Sequence, residues 1–229
     1  STLTGVVTIT STQGNASVTT GSGKDVISTS NGTDTIDSGA GDDIIDSQTG
    51  ADQITTGAGN DTLVLNALDS VAVAMKSISD FGLMANSYTA AATTDTAAEV
   101  ASTNVAGINA DILDTTDVAV VADQATATDT GVGADIKDII SNGIMTLSGA
   151  DAASVDTLAE WIAQAEAAIG NSEVVAFEFS GNTYVLDSAA GGTTDMVIEL
   201  TGVTGVAGIA QVDSGSTSVI GGADYILMA

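Results

Sequence analysis

The sequence predicts a mainly β protein: a repetitive N-terminal segment, then a β-rich region with one or two helices. Three observations carry that prediction. A nine-residue pattern of Gly, Asp and an aliphatic residue runs through residues 20–64. Aromatic residues are only 3% of a chain that is 44% hydrophobic, so a core must be built from small aliphatics or extended sheet. Downstream, short alternating apolar stretches recur, with one segment of clear helical spacing near residues 154–169.

The chain has 229 residues, enough for one large domain or two small ones with a real core. We divide it at the end of the repeats, into residues 1–66 and 67–229. Thirty acidic residues face three basic ones (Lys24, Lys76 and Lys137), for a formal net charge of −27. That balance excludes ordinary nucleic-acid binding, which needs a basic surface, and argues against docking on bare anionic lipid. A solubilised surface, a disordered chain or a cation binder all agree with it, but the apolar content is too high for wholesale disorder. Without Cys or His, the chain has no disulfides, no ordinary zinc site and none of the usual catalytic triads. No apolar run is long enough to span a membrane. The opening "STLTGVVTIT" has no Met, no basic start and no signal-peptide core, as expected of a fragment or a processed chain.

Written in nines, the repeats are TGSGKDVIS (20–28), TSNGTDTID (29–37), SGAGDDIID (38–46), SQTGADQIT (47–55) and TGAGNDTLV (56–64). Gly23, Gly32, Gly41, Gly50 and Gly59 share one position. Asp25, Asp34, Asp43, Asp52 and Asp61 follow two residues later, and Ile27, Ile36, Ile45, Ile54 and Leu63 two later again. The nines at 2–10 and 11–19 keep the Gly and the aliphatic but carry Val7 and Ala16 where the acid belongs.

This segment resembles the RTX family of calcium-binding nonapeptide repeats, whose pattern is G-G-x-G-x-D-x-U-x. The resemblance implies a parallel β-roll in which each nine supplies a turn and a short strand, and two nines make one coil. Adjacent coils lie roughly 4.8 Å apart. A calcium ion, which takes six to eight oxygens at about 2.3–2.6 Å, then reaches both of two stacked Asp turns. Partners are therefore alternate repeats. One edge carries Asp25, Asp43 and Asp61, and the other Asp34 and Asp52. The pairs 25/43, 43/61 and 34/52 are expected to make about three full Ca2+ sites, with partial ones at the ends. The first edge keeps both motif glycines (Gly21/Gly23, Gly39/Gly41, Gly57/Gly59), whereas the second keeps only Gly32 and Gly50, so its coordination is expected to be weaker. The first motif position is never Gly. The competing reading is a metal-free solenoid whose Asp residues cap turns, but stacking like charges at short range without a cation is costly.

Beyond the repeats, "VAVAMKSISDFG" (71–82) reads as a strand leading into a turn, 87–107 as loop or weak helix, and "DVAVVADQ" (117–124) as a buried strand. "ADIKDIISNG" (134–143) reads as a short helix ending at Gly143. In "SVDTLAEWIAQAEAAIG", Val155, Leu158, Ile162, Ala165 and Ile169 mark a helix with Ser154 as its N-cap, Gly170 as its stop and a packed Trp161. "EVVAFEFSGNTYVLD" (173–187) reads as a hairpin around Ser180-Gly181-Asn182, and 195–203 and 223–228 as further strands, with "GGAD" (221–224) as the turn before the last. Lys76 beside Ser77 is read as a surface lysine rather than a Ser-Lys catalytic pair. Glycosidase-type carboxylate pairing is a poor explanation for Asp residues that are solvated or bind calcium.

Residues 174–206 resemble the C-terminal region of RTX-type surface-layer proteins exported by type I systems, through G-N-T-Y-V at Gly181–Val185 and D-x-V-I-x-L-T-G-V at Asp195–Val203. The resemblance implies an uncleaved C-terminal secretion signal, for which "SVIGGADYILMA" fits, and a secreted, extracellular or cell-surface location. It implies a structural, non-enzymatic role: a lattice whose partners are copies of the chain itself and a cell-surface polysaccharide, with neither nucleic acid nor membrane insertion. The rival expectations are an adhesin or biofilm-matrix binding module, and the secretion and folding tail of an exoenzyme.

Overall fold

The computed structural model describes residues 5–12, 14–66, 69–83, 111–115, 119–120, 137–141, 143–149, 151–169, 173–188, 195–212 and 224–228. Each nine yields one three- or four-residue strand: β1 (Thr8–Thr10), β2 (Ser17–Thr19), β3 (Val26–Ser28), β4 (Thr35–Asp37), β5 (Ile44–Asp46), β6 (Gln53–Thr55) and β7 (Thr62–Leu65). The strands are this short because glycine turns flank them and only one side chain in each needs to face inward. Odd strands pair in parallel in one sheet, with Ile9, Ile27, Ile45 and Leu63 in register. Even strands form the other, with Val18, Ile36 and Ile54 in register. The register step is two nines, so the roll has two faces and one coil per 18 residues. Between the sheets lies a ladder of aliphatics, with Ile27, Ile36, Ile45, Ile54 and Leu63 at most 2% exposed. Their outward neighbours are polar or partly exposed, as strand alternation requires.

Both sheets continue past residue 66. β8 (Lys76–Ser79) pairs in parallel with β6 and sets Ile78 beside Ile54. β9 (Ile112–Thr115) pairs in parallel with β7 and sets Leu113 beside Leu63. The remaining described strands are β10 (Ala119–Val120), β11 (Lys137–Ser141), β12 (Ile144–Ser148), β13 (Glu173–Phe179), β14 (Asn182–Ser188), β15 (Asp195–Thr201), β16 (Ile209–Val212) and β17 (Asp224–Met228). One sheet runs β1-β3-β5-β7-β9-β17-β16 and the other β2-β4-β6-β8-β15-β14-β13-β12-β11, with β10 paired to β13. The single described α-helix, α1 (Leu158–Ala168), covers the far face of β13 and β14. It follows a 3-10 turn at Ala152–Ser154. No described helix is long and apolar enough to cross a membrane.

β13, β14 and β15 are buried on both faces. Val174, Ala176, Val185 and Ile198 extend the interior of the roll, whereas Val175, Phe177, Tyr184, Leu186 and Val197 meet Ile162 and Ala165 of α1. The scarce aromatics concentrate under α1: Trp161 stacks on Phe177 and Phe177 on Tyr184, each with ring centroids 5.5 Å apart. Trp161 is packed, and its Nε1 donates to the Val155 carbonyl at 3.1 Å.

Two sequence expectations need correction. Residues 137–141 of the expected 134–143 helix form strand β11, paired antiparallel with β12 so that Ile140 faces Met145. Ten residues make a marginal helix, and tertiary pairing of the β-branched Ile139-Ile140 outweighs it. Gly143, at φ 77°, serves the hairpin rather than a helix end. The helix near 154–169 starts later than expected, capped by Thr157 instead of Ser154. Thr157 and Glu160 form a reciprocal capping box, which satisfies two backbone donors where a lone Ser satisfies one. Ser154 instead bonds the Asp151 carbonyl at 2.6 Å. The hairpin turning at Ser180-Gly181 and the strands near 76–79, 195–201 and 224–228 are found as expected. Of the strand expected at 117–124, residues 119–120 are seen. The 87–107 segment, Gly170 and residues 221–223 of the expected turn lie outside the described residues.

Replacing a central rung, Ile45→Ala, is expected to lower the stability of the calcium-loaded protein by about 2–5 kcal/mol, read from urea midpoints. Val26→Ala, in a neighbouring strand at a position 38% exposed, is expected to cost less than about 1 kcal/mol.

Candidate metal centre

The turns stack as tightly as the strands. Along the first edge, the Ala40 N–H donates to Gly21 O (2.8 Å) and the Gly23 N–H to Ala40 O (2.7 Å). One coil on, Ala58 donates to Gly39 O (2.9 Å) and Gly41 to Ala58 O (2.7 Å). A Cβ on Gly41 would sit 1.9 Å from the Gly23 oxygen, and one on Gly50 1.6 Å from the Gly32 oxygen, while both residues have positive φ (130° and 149°). Only glycine meets both demands. Gly39, Gly57 and Gly59 are equally confined by the oxygens of Gly21, Gly39 and Gly41. Gly23 lies against Gly5, and Gly32 against Gly14.

The turns bring the repeat aspartates together as the 18-residue spacing predicts. On the first edge, Asp25 N–H donates to Asp43 Oδ1 (2.7 Å), and Asp43 N–H to Asp61 Oδ1 (2.8 Å). On the second, Asp34 N–H donates to Asp52 Oδ1 (2.8 Å). Val7 and Ala16, at the non-acidic positions, donate their N–H groups to Asp25 (2.7 Å) and Asp34 (2.6 Å). Each carboxylate thus leans back onto the previous coil with one oxygen. Asp25, Asp34, Asp43, Asp52 and Asp61 are all at most 1% exposed.

The other oxygen is the informative one. Oδ2 of Asp25, Asp34, Asp43 and Asp61 is buried and has no hydrogen-bond partner. An unpaired buried carboxylate oxygen costs several kcal/mol. Four of them in register on two edges make a donor set of hard, negatively charged oxygens, which suits calcium. Among the described residues, no three His, Cys, Asp or Glu side chains converge as a conventional cluster. For a cation held here, the carbonyl oxygens of the stacked turns would be the nearest further donors from the protein. A bound divalent ion would supply positive charge between coils, and the aspartates would hold it.

Without a cation, three carboxylates of the site, Asp43, Asp61 and Asp111, resist ionisation. Burial raises Asp43. Burial, reinforced by the charges of Asp111 and Asp43, pushes Asp61 up to about 8 against the hydrogen bond from the Asp43 N–H. Burial, with a smaller contribution from Asp80, pushes Asp111 up to about 6 against the hydrogen bonds it accepts.

Two residues that the nine-residue frame misses complete the ladders. Asp111 is in register with Asp61, and its Oδ1 accepts the Asp61 N–H at 3.1 Å. Its Oδ2 accepts from Gly82 N–H and Thr56 Oγ1, both at 2.9 Å. The triplet Asp111-Ile112-Leu113 repeats the Asp-x-aliphatic signal, but 50 residues after Asp61. Lys76 is in register with Asp52, in the triplet Lys76-Ser77-Ile78. The expectation of a surface lysine is wrong: Lys76 is fully buried, with Nζ 2.5 Å from Asp52 Oδ2. Burying the ammonium satisfies a carboxylate that is itself sealed from water, which a solvated lysine would leave bare.

These features, coils of paired nines with carboxylates in register and glycine turns, define a metal-binding parallel β-roll. Residues 10–45 and 42–67 each match the family model described as RTX calcium-binding nonapeptide repeat (4 copies). This segment is therefore an array of RTX repeats, a family typical of secreted proteins. No curated protein matches the chain.

Metal-stripped protein is expected to be more stable at pH 5 than at pH 8. Asp61 and Asp111 titrate from 3.8 in the unfolded chain to about 8 and about 6 in the fold, so folding takes up protons and loses stability as pH rises through this window. Urea midpoints followed by far-UV circular dichroism check the sign; a midpoint that rises with pH contradicts it.

Proposed function

We propose that this chain is the calcium-stapled part of an extracellular structural protein, of the surface-layer or related cell-surface type, exported unfolded by a type I system. The observation that carries the calcium reading is the four buried, unpartnered Asp Oδ2 atoms in register along the roll. The sites are formed by Asp25, Asp34, Asp43 and Asp61 with the backbone of the turns that Gly21, Gly23, Gly32, Gly39, Gly41, Gly50, Gly57 and Gly59 shape. In a cytosol poor in calcium the coils lack their counter-charge, and the roll is only marginally stable. Outside, millimolar calcium fills sites of modest affinity, and metal binding becomes folding free energy.

The lattice reading rests on the resemblance of residues 174–206 to surface-layer proteins; the described strands of this span, β13 to β15, pair onto the roll through β8. A chain of net charge −27 needs cations between copies to pack side by side, which calcium also supplies. The role is structural: partners are copies of the chain and a cell-surface polysaccharide.

Calcium titrated into metal-stripped protein, with circular dichroism and light scattering read on one sample, tests both levels. Ordered structure and large particles are expected together, and Asp43→Ala, which removes a member of two stacked pairs, is expected to raise the calcium needed for both. Ordering without particles keeps the calcium roll and moves the function to an adhesin module or an exoenzyme tail. A spectrum indifferent to calcium sinks the metal reading.

A further inference from the structure

Of the five repeat aspartates, Asp52 differs in one respect. Oδ2 is unpartnered in Asp25, Asp34, Asp43 and Asp61, but in Asp52 it is held by the Lys76 ammonium at 2.5 Å. Lys76 stands at the register position where the next coil of the same edge would place its Asp. Its Nζ also donates to the Gln48 carbonyl, the kind of backbone oxygen a cation in a turn would collect. Gln48 is set for this contact. It adopts φ 53°, uncommon outside glycine, and its N–H and side-chain amide bond Asp46 at 3.2 and 2.8 Å. From its main chain, Lys76 is tied to the C-terminal sheet: its N–H donates to Ser70 Oγ (2.8 Å), and Ser70 Oγ donates to the Val197 carbonyl.

We infer that Lys76 is a covalently attached cation that takes the place of calcium at Asp52, so that the junction coil closes without metal while the coils before it require it. The inference rests on the calcium reading above. A carboxylate oxygen and a backbone carbonyl converge on the ammonium, both partners are fully buried, and a divalent ion added there would meet a like charge at contact distance. The exposed pair Lys24–Asp42, at 3.3 Å on the roll surface, has no such role, because water already screens it. The consequence is directional. The second edge is finished by the protein itself next to the C-terminal sheet, and calcium-dependent order lies on its N-terminal side.

The test counts calcium bound per chain, by equilibrium dialysis and elemental analysis, in wild type, Lys76→Met and the double variant Lys76→Met/Asp52→Asn. Lys76→Met frees Asp52 Oδ2 to resemble the other four and is expected to bind one more ion than wild type. The double variant, with neither charge, is expected to return to the wild-type number. Hydrogen exchange on metal-stripped wild type gives a second reading that needs no variant to fold. Amides of β6 and β8 are expected to stay protected when those of β2 and β3 exchange freely. An unchanged count in Lys76→Met, or β6 and β8 exchanging as fast as β2 and β3, overturns the inference. Wild-type protein that binds no calcium overturns this inference and the calcium reading together, whereas calcium-binding wild type with an unchanged variant count overturns this inference alone.

Discussion

Along each edge of the roll, a carboxylate is laid over the backbone of its counterpart two nines away, and both are sealed from water. One oxygen is always satisfied by the N–H of the earlier coil. The other is left for a positive charge. The rest of the N-terminal architecture follows from that arrangement. Carboxylates meet in this way only if successive turns stack at strand spacing, and stacking at that distance pushes carbonyl oxygens to where a Cβ would sit. Glycine is therefore demanded by the same packing that concentrates the acid. The aliphatic ladder is thin by comparison. One buried Ile or Leu per nine residues contributes about 1.5–3 kcal/mol, so a roll of this kind leans on its counter-charges more than an ordinary globular core does.

The C-terminal half solves the burial problem differently. Strands β13 to β15 are seven residues long where those of the roll have three or four, and they carry side chains into two cores at once. The scarce aromatic residues are spent here, stacked between α1 and the sheet. The two solutions share the same sheets, since β8 links β6 to β15 and β9 links β7 to β17. At that seam the two ladders end on different groups: a buried lysine on one edge, and on the other a buried aspartate whose second oxygen is taken by Thr56 and Gly82.

The roll was legible because its information is local. Gly, Asp and an aliphatic recur at fixed intervals, and each interval maps onto one turn or one strand, so the pairs 25/43, 43/61 and 34/52 follow from the spacing alone. Helix α1 was legible through its apolar spacing, but its start was not, because choosing between Ser154 and Thr157 depends on the Glu160 side chain reaching back. Strand β11 was misread as a helix because the partner that decides its conformation, β12, contributes nothing to the local pattern of residues 134–143.

By itself, the sequence determined the two-nine coil, the inward aliphatic ladder, the glycine turns and the stacking of acid on acid, since a strict period leaves a parallel stack no other register. Only the tertiary structure decided what ends each stack. Lys76 and Asp111 occupy the next positions of their ladders after intervals of 24 and 50 residues, not 18. An excursion of the chain erases a period in sequence while leaving it intact in space, because a parallel strand needs only to return to its neighbour's register, whatever length of chain brings it there.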